Sequence, residues 1–297
     1  MTDEAIIVGG GPAGLSAAIQ LERYAIPARL FESDSAGGLL WNANLVENYP
    51  GVTPGISGRE LAERFAAQAA ACGVRVTPER VIELDWDDGF FRAATPAGAY
   101  RSRRAVIASG TRPRSIDGLE IPDALSRKVF YEVKPLLDVE GARIVVIGSG
   151  DAAFDYALNL GRKNDVVILG RGERPSSLPL LVERAAASPR IVYHASALVT
   201  SLASAPEGRL SVKCSGALDG ATIEADCLIC AVGRDPRIDF LSERLRERSP
   251  DLEKQGRLYY AGDVKNGMCR QTAIAAGDGI LAAMRIYQSL KASRDPS

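Results

Sequence analysis

Short apolar runs and amphipathic stretches alternate along the chain, and the alternation occurs in two similar blocks. In the first block the apolar run Ile6-Ile7-Val8 reads as a buried strand. Small or apolar residues then fall at 14, 17, 18, 21 and 25, the spacing of a helix face packed on a sheet. A second strand, Ala28 to Phe31, ends in Glu32. Ser57 and Glu60 form a capping box that starts a helix running to about Ala71, with Gly73 ending it. Residues 74–107 read as β-rich: Val74 to Val76 is short and Val81 to Trp86 alternates. Asp87-Asp88-Gly89 turns into Phe90 to Ala93, and Arg104 to Ala108 closes the stretch. The second block opens with Arg143 to Ile147, continues with a helix over 154–160 and adds the strand Asp165 to Leu169. Residues 191–232 are β again and include Leu210 to Cys214 and Ala225 to Val232. The chain closes with a charged helix over 238–248, a strand Leu258 to Tyr260, a helix from Thr272 to Leu290, and a frayed tail over 292–297.

Each block carries a glycine motif between its first strand and first helix. Gly9, Gly11 and Gly14 form G-x-G-x-x-G, and strand, glycine turn, helix is the context in which that motif cradles a dinucleotide pyrophosphate. Glu32 stands 23 residues after Gly9, where a carboxylate holds ribose hydroxyls. The second motif, Gly148-Ser149-Gly150-Asp151-Ala152-Ala153, ends in alanine, which the fingerprint permits. At the same offset of 23 residues it carries Arg171, and a guanidinium suits a ribose phosphate. The first site therefore reads as FAD or NAD. The second leans to NADP, with Arg174 assisting or both arginines lying on a solvated turn.

Composition narrows this reading. The 297 residues suggest two domains, and 46% hydrophobic content supports a substantial core. A net charge of −1 offers nothing for nucleic acid or an anionic membrane surface. Polar residues 1–4 and the lack of a long apolar run predict no signal peptide and no membrane span, hence a cytoplasmic protein. Cys72, Cys214, Cys227, Cys230 and Cys269 are no disulfide framework. Cys227 and Cys230 form a C-x-x-C inside an apolar strand run. Residues three apart on a strand face opposite sides about 10 Å apart, beyond the about 7 Å that a disulfide spans, so they read as core. Cys269 directly precedes Arg270-Gln271. The single histidine, His194, has no catalytic partner and reads as structural or solvent-facing.

Taken together, Gly9 to Gly14, Glu32, Gly37-Gly38, Glu47 to Gly51, Ile56-Ser57-Gly58, Ala108-Ser109-Gly110, Gly148 to Ala153, Gly262-Asp263 and Arg270-Gln271 resemble, in order and spacing, the thioredoxin-reductase-like branch of the two-dinucleotide-domain flavoproteins. The resemblance covers nearly the whole chain. It implies an α/β fold of two Rossmann-like three-layer domains, the second inserted in the first: 1–113 with 236–297 for FAD, and 114–235 for NAD(P). It also implies a homodimer. Carried over by position, Gly9, Gly11, Pro12, Ala13 and Gly14 would wrap the FAD pyrophosphate, with Glu32 on the ribose. Gly38, Leu39 and Asn48 would line the flavin, and Val81 would touch adenine. Gly110, Gly262, Asp263 and Arg270 would complete the site, Asp263 on the ribityl chain or phosphate. Gln271 and Thr272 would begin a helix whose N-terminal partial positive charge stabilises the reduced flavin. Gly148, Gly150, Asp151, Ala152, Arg171 and Arg174 would hold the nicotinamide dinucleotide.

The chain also departs from that pattern. Thioredoxin reductases place a redox-active C-x-x-C just before the second glycine motif. Counted back from Gly148, its positions hold Tyr131 and Lys134, which can form no disulfide. The stretches 129–134 and 155–160 are similar to the ferredoxin–NADP reductases of the same branch, although those usually carry a longer C-terminal extension. The branch's His-Arg-Arg signature for NADP appears here as Gly170-Arg171-Gly172. The expectation is an FAD enzyme that takes hydride from NAD(P)H, NADP(H) favoured, and passes electrons to a ferredoxin- or flavodoxin-type carrier. A small molecule, quinone or external disulfide is the alternative acceptor. An FAD-binding subunit or sensor without nicotinamide turnover is the non-enzymatic alternative. No metal is expected. The resemblance implies rotation of the nicotinamide domain, with Arg112-Pro113 and Gly233 to Pro236 as its hinges, but without a disulfide to shuttle, such rotation has less reason to exist.

Overall fold

The computed structural model describes residues 2–294. Its first elements are β1 (Asp3–Val8), α1 (Pro12–Arg23), β2 (Ala28–Phe31), β3 (Leu45–Val46), β4 (Ile56–Ser57), α2 (Gly58–Ala71), β5 (Val76–Thr77), β6 (Glu83–Asp87), β7 (Phe90–Thr95), β8 (Gly98–Ile107) and β9 (Thr111–Pro113). Then come β10 (Val129–Phe130), β11 (Arg143–Ile147), α3 (Asp151–Leu160), β12 (Asp165–Leu169), α4 (Pro179–Ala186), β13 (Ile191–His194), β14 (Ala197–Ser204), β15 (Leu210–Gly216), β16 (Thr222–Ala225) and β17 (Cys227–Cys230). The chain continues with β18 (Arg234–Pro236), α5 (Glu243–Lys254), β19 (Leu258–Tyr260) and α6 (Thr272–Arg294). The helix expected from Ser57 forms as read: the Ser57 hydroxyl accepts from the Glu60 N–H at 3.1 Å. The 87–89 turn has positive φ at Asp88 and Gly89, the mirror-image turn that matches strand twist.

Three expectations about elements are corrected. The charged helix begins at Glu243, not 238, because the Ser242 hydroxyl caps it by accepting from the Leu245 N–H at 3.1 Å. It runs on through Pro250, since Leu245 and Leu252 keep a buried face on either side of the proline. α4 was not anticipated; its eight residues give too short a periodic signal, and only Ala185 is buried. α6 continues past Leu290 to Arg294, so 292–294 are helical, and the rest of the expected tail lies outside the described residues.

The chain divides into two compact units. The first comprises 1–40, 46–112 and 235–297. Its seven-stranded sheet runs β5-β2-β1-β8-β7-β6, with β19 also on β8. β1, β2, β5, β8 and β19 pair in parallel, while β6 and β7 form an antiparallel hairpin on β8. Ile6, Phe31, Leu84, Phe91 and Ile107 are at the heart of one core face. β1 is buried on both sides, which explains its unbroken apolar run. The second unit comprises 41–45 and 113–234. It carries a five-stranded parallel sheet, β10-β17-β11-β12-β13, and a three-stranded antiparallel sheet, β14-β15-β16. The short stretch 41–45, which the sequence division left in the first unit, groups here because of Asn42 and Asn44. The Asn42 amide oxygen accepts from the Val133 and Lys134 N–H groups at 2.9 and 3.0 Å, and the Asn44 N–H donates to Asp155 at 2.9 Å.

Candidate functional site

In the first unit, β1 ends at Val8 and Gly9 turns the chain with φ +108°, a region that disfavours any side chain. A Cβ on Gly9 would also lie 2.3 Å from the Ala108 carbonyl oxygen. Gly14 sits where a Cβ would come within 1.8 Å of the Gly9 carbonyl oxygen, so α1 packs directly on the turn it follows. Gly11 is the residue before α1, and Pro12, Ala13 and Gly14 form the helix's first turn, leaving its first N–H groups facing the loop. Gly38 packs on Gly11: its Cβ would lie 3.0 Å from the Gly11 Cα. Leu39 follows in a 3₁₀ turn over Gly38–Asn42.

Glu32 lies at the end of β2 and turns back to this loop. Its carboxylate accepts from the Gly10 N–H at 2.7 Å and from the Asp34 N–H at 2.9 Å. An ionised carboxylate has about four acceptor positions, so capacity remains for a ribose hydroxyl. A cleft of about 180 Å³ opens here, lined by Gly9, Glu32, Val81, Ser109, Arg112 and Arg237 among others. Its Glu79 carboxylate is held by the Thr95 hydroxyl at 2.6 Å and the Tyr100 hydroxyl at 2.8 Å, and these two hydrogen bonds keep its carboxyl below the usual range. Gly110 is in the turn after β8, where its carbonyl accepts from the Arg237 N–H.

The remaining expected FAD residues come from other segments of the chain, and Gly262 lies against the first glycine motif, where its Cβ would be 2.9 Å from that of Ala13. The Asn48 side-chain N–H donates to the Gln271 amide oxygen at 2.8 Å, one residue before α6 begins at Thr272. Arg270 precedes them, its N–H donating to the Met268 carbonyl. Gly262 and Asp263 form a 3₁₀ turn after β19. Sequence reasoning missed what holds that turn. The Asp278 carboxylate, inside α6, accepts from the Gly262 N–H at 3.0 Å and the Asn266 side chain at 2.7 Å, and pairs with the Lys265 ammonium at 2.9 Å. Burial pushes the Asp278 carboxyl up, but the bonds from Lys265, Asn266 and Gly262 outweigh it, leaving it below the ordinary range. The only signal was an acid within the otherwise small and apolar Ala275-Ala276-Gly277-Asp278-Gly279-Ile280. Gly279 is equally specific: a Cβ there would sit 2.0 Å from the Ala13 carbonyl oxygen, so α6 lies hard against the start of α1.

In the second unit, Gly148 has φ +147°, and a Cβ there would lie 2.5 Å from the Ala231 carbonyl oxygen. Gly150 precedes α3, and Asp151 and Ala152 open that helix. The Asp151 carboxylate accepts from the Leu178 N–H at 2.8 Å and the Ser177 hydroxyl at 3.1 Å, while the Ser176 N–H donates to the Ser149 carbonyl at 2.8 Å. These bonds staple the glycine turn to the loop that carries Arg171 and Arg174, both exposed. Gly170 leaves space that Tyr193 fills: a Cβ on Gly170 would lie 2.6 Å from the Tyr193 hydroxyl oxygen and 3.1 Å from the Ser149 Cβ. That hydroxyl is buried with no hydrogen-bond partner among the described residues, and burial pushes its pKa up. His194 follows at the end of β13, where its carbonyl accepts from the Gly170 N–H.

Tyr131 and Lys134 flank the short turn after β10. Tyr131 packs on the core face that includes Cys230; burial, then the neighbouring Cys230, raises its hydroxyl pKa. Lys134 opens a 3₁₀ turn with its ammonium 5.4 Å from the Trp41 ring centre. Cys227 and Cys230 belong to opposite core faces of β17, and burial pushes both thiols up to about 12. Cys269 is exposed. Among the described residues, no group of three or more His, Cys, Asp or Glu is placed to hold a metal ion, and no helix is long and apolar enough to cross a membrane.

Residues 3–279 match the family described as pyridine nucleotide-disulphide oxidoreductase. The chain belongs to that family. A thioredoxin reductase of Streptomyces clavuligerus is 30% identical, the alignment covering 98% of this chain and 94% of the relative. A thioredoxin reductase of Borreliella burgdorferi is 28% identical over 97% of this chain and 92% of its own. Among solved structures, the thioredoxin reductase of T. acidophilum superposes with a TM-score of 0.83 at 26% identity, covering 98% of this chain and 99% of that one. The Lactococcus lactis enzyme, at a TM-score of 0.84 and 24% identity, shares the fold. This pyridine nucleotide-disulphide oxidoreductase is thus an NAD(P)H-dependent, FAD-containing flavoprotein oxidoreductase with two Rossmann-like α/β domains. Its first unit fits FAD on its own geometry: three places where backbone approaches too closely for a side chain, an acid aimed at the glycine turn, and an adjoining cleft.

Proposed function

We propose that the first unit holds FAD, that the second binds NADPH in preference to NADH, and that electrons leave for an external one-electron carrier of ferredoxin or flavodoxin type without passing through an internal disulfide. The chemistry that bound FAD would supply is acceptance of a hydride from reduced nicotinamide and onward release of its two electrons. The chain's own work is binding and orientation. Gly9 to Gly14 offer backbone N–H groups and the α1 N-terminus to the pyrophosphate. Glu32 orients the ribose, and Gly38, Leu39 and Asn48 line the ring. Asp278 fixes the turn that presents Asp263, and the Asn48–Gln271 bond anchors the chain where α6 begins, its N-terminus favouring negative charge. Gly148 to Ala152 repeat the cradle for the second dinucleotide, and Arg171 with Arg174 supply charge for a ribose phosphate.

The observation that carries the external route is the fate of the cysteines. Tyr131 and Lys134 occupy the positions of the branch's redox pair, and the chain's one C-x-x-C is split across two faces of a buried strand. A thiol with a pKa of about 12 holds almost no thiolate near neutral pH and is a poor nucleophile, and two thiols on opposite strand faces cannot close the disulfide that would accept electrons. The exposed stripe Ile274, Ile280, Leu281 and Met284 on α6 supports the expected homodimer, since it offers an apolar face for a second copy.

Anaerobic stopped-flow mixing with NADPH and NADH tests the reading. Both are expected to bleach the flavin band near roughly 450 nm, NADPH faster; if neither does, the reductase reading fails, and if NADH is far faster, the assignment of Arg171 fails. Turnover with ferredoxin, flavodoxin, thioredoxin, quinone and oxygen in parallel identifies the acceptor. Fast reduction of thioredoxin or quinone with none of a one-electron carrier replaces the carrier by that class.

A further inference from the structure

The cleft beside Gly9 contains two arginines that the glycine fingerprint does not require. Arg112 and Arg237 line it together with Glu32 and Val81. Many arginines elsewhere in the chain are paired: Arg29 with Asp3 at 2.8 Å, Arg209 with Glu224 at 3.2 Å, Arg234 with Glu132 at 3.0 Å, and Arg104 with Glu4. The side chains of Arg112 and Arg237 make neither an ion pair nor a hydrogen bond among the described residues. Two of the acids beside them are already engaged, Glu32 by the Gly10 and Asp34 N–H groups and Glu79 by Thr95 and Tyr100.

Both stems spring from backbone that is held. The Arg237 N–H donates to the Gly110 carbonyl at 3.0 Å, and the Arg237 carbonyl accepts from the Ser109 hydroxyl at 2.6 Å. Arg112 follows Gly110 by two residues. Two guanidiniums thus rise from two chain segments clipped to each other at the rim of a cleft lined by the buried apolar Val8, Phe31, Val81 and Phe240. A planar guanidinium stacks on a flat aromatic surface, purines included, in a way that an ammonium does not. The cleft adjoins Glu32, the group placed for the adenosine ribose.

Resting on the assignment of FAD to the first unit, we propose that Arg112 and Arg237 clamp the adenine of FAD against this cleft and so make the site select FAD over FMN. FMN lacks the adenosine half, so it gains nothing from the clamp. Arginine–base stacking of this kind contributes about as much as aromatic–base stacking, so each truncation weakens FAD binding about tenfold.

The test uses the purified flavoprotein, with flavin removed and rebound. FAD and FMN are titrated against wild type, Arg112→Ala, Arg237→Ala, the double variant and Arg112→Lys, following flavin fluorescence. Each alanine variant is expected to weaken FAD about tenfold and the double variant about a hundredfold, with FMN affinity unchanged. Lysine is expected not to restore FAD binding. Unchanged FAD affinity overturns the clamp, as does equal weakening of FAD and FMN or full recovery in Arg112→Lys. Wild type that neither carries nor binds FAD overturns the underlying assignment as well, and is recognised before any variant is made.

Discussion

In the first unit the carboxylate of Glu32 reaches back to the Gly10 N–H at 2.7 Å. In the second unit, the residue at the same offset is Arg171, exposed, and the glycine turn is held from the opposite direction, by Asp151 at the start of α3 bonding the loop ahead of α4. The two turns differ in the fifth residue after the first glycine as well. Gly14 has no room for a Cβ, whereas Ala153 carries one. In the first unit, moreover, α6 presses Gly279 onto the carbonyl of Ala13. One turn is compressed between a strand and a second helix and braced by its own reader residue. The other is pressed by backbone at Gly148 alone, against the Ala231 carbonyl, and its reader lies exposed on a stapled loop. The contrast suits a cofactor that stays in the first unit and a substrate dinucleotide that comes and goes in the second.

The largest effect that can break this contrast is at the compressed turn. Gly14→Ala is expected to yield protein without bound flavin and to lose about 3 kcal/mol of stability or more, because the obstructing atom is a backbone oxygen. Ala153→Gly should cost only about 1 kcal/mol and keep its flavin. Absorbance ratio and thermal unfolding check both; equal effects at the two sites would erase the distinction.

Next come the two readers. Arg171→Ala is expected to raise the KM for NADPH by roughly 10- to 100-fold and leave NADH nearly untouched, as loss of a charged hydrogen bond costs about 1.5–3 kcal/mol. Glu32→Gln should weaken FAD by about tenfold on the same scale and leave nicotinamide kinetics of the reloaded enzyme unchanged. Steady-state kinetics with both nicotinamides and a flavin titration separate the outcomes.

A smaller effect concerns Gly170 and Tyr193. Gly170→Ala should destabilise the second unit by about 1–3 kcal/mol, through overlap with the Tyr193 hydroxyl. Tyr193→Phe removes a buried hydroxyl with no partner and should be neutral or stabilising by about 1 kcal/mol. The double variant should recover part of the loss, and denaturant midpoints for the four proteins give the coupling.

The smallest effect on activity is at β17. Cys227→Ala with Cys230→Ala should leave turnover near neutral pH unchanged. Both thiols should resist thiol reagents until the chain unfolds, while Cys269 reacts at once. The folded thiols stay protonated up to about 12, against a reference of 9.0. The unfolded chain therefore sheds protons first as pH rises past 9, and stability falls between 9 and 12 by about 1.4 kcal/mol per pH unit for each thiol. The double variant should show a shallower alkaline decline.

Both glycine turns, the strands before them and the residues 23 positions later were legible in the sequence because they depend on local spacing. The helix at Ser57 followed from its capping signal, and the placement of Cys227 and Cys230 in the core followed from their apolar strand run and spacing; the structure agrees with both. Asp278 was not legible: its partners Gly262, Lys265 and Asn266 lie in a turn that meets α6 only through tertiary packing. The same is true of Asn42, whose role depends on residues 133–134, and of Tyr193, which explains Gly170 only once β12 and β13 are side by side. α5 was misjudged at both ends, since a serine cap and a tolerated proline are decided by burial of Leu245 and Leu252, not by composition.

The contact of Gly279 with Ala13 also bears on how the protein is made. β1 and α1 leave the ribosome long before α6, which packs Gly279 against the Ala13 carbonyl at the start of α1. Apart from the short 41–45 stretch, the second unit is one continuous segment whose parallel sheet closes well before that point. All residues of the inserted unit are therefore synthesised before the helix that covers the first glycine turn. A nascent chain halted before Thr272 would possess the whole second glycine motif, while the first would lack the helix that packs on Ala13.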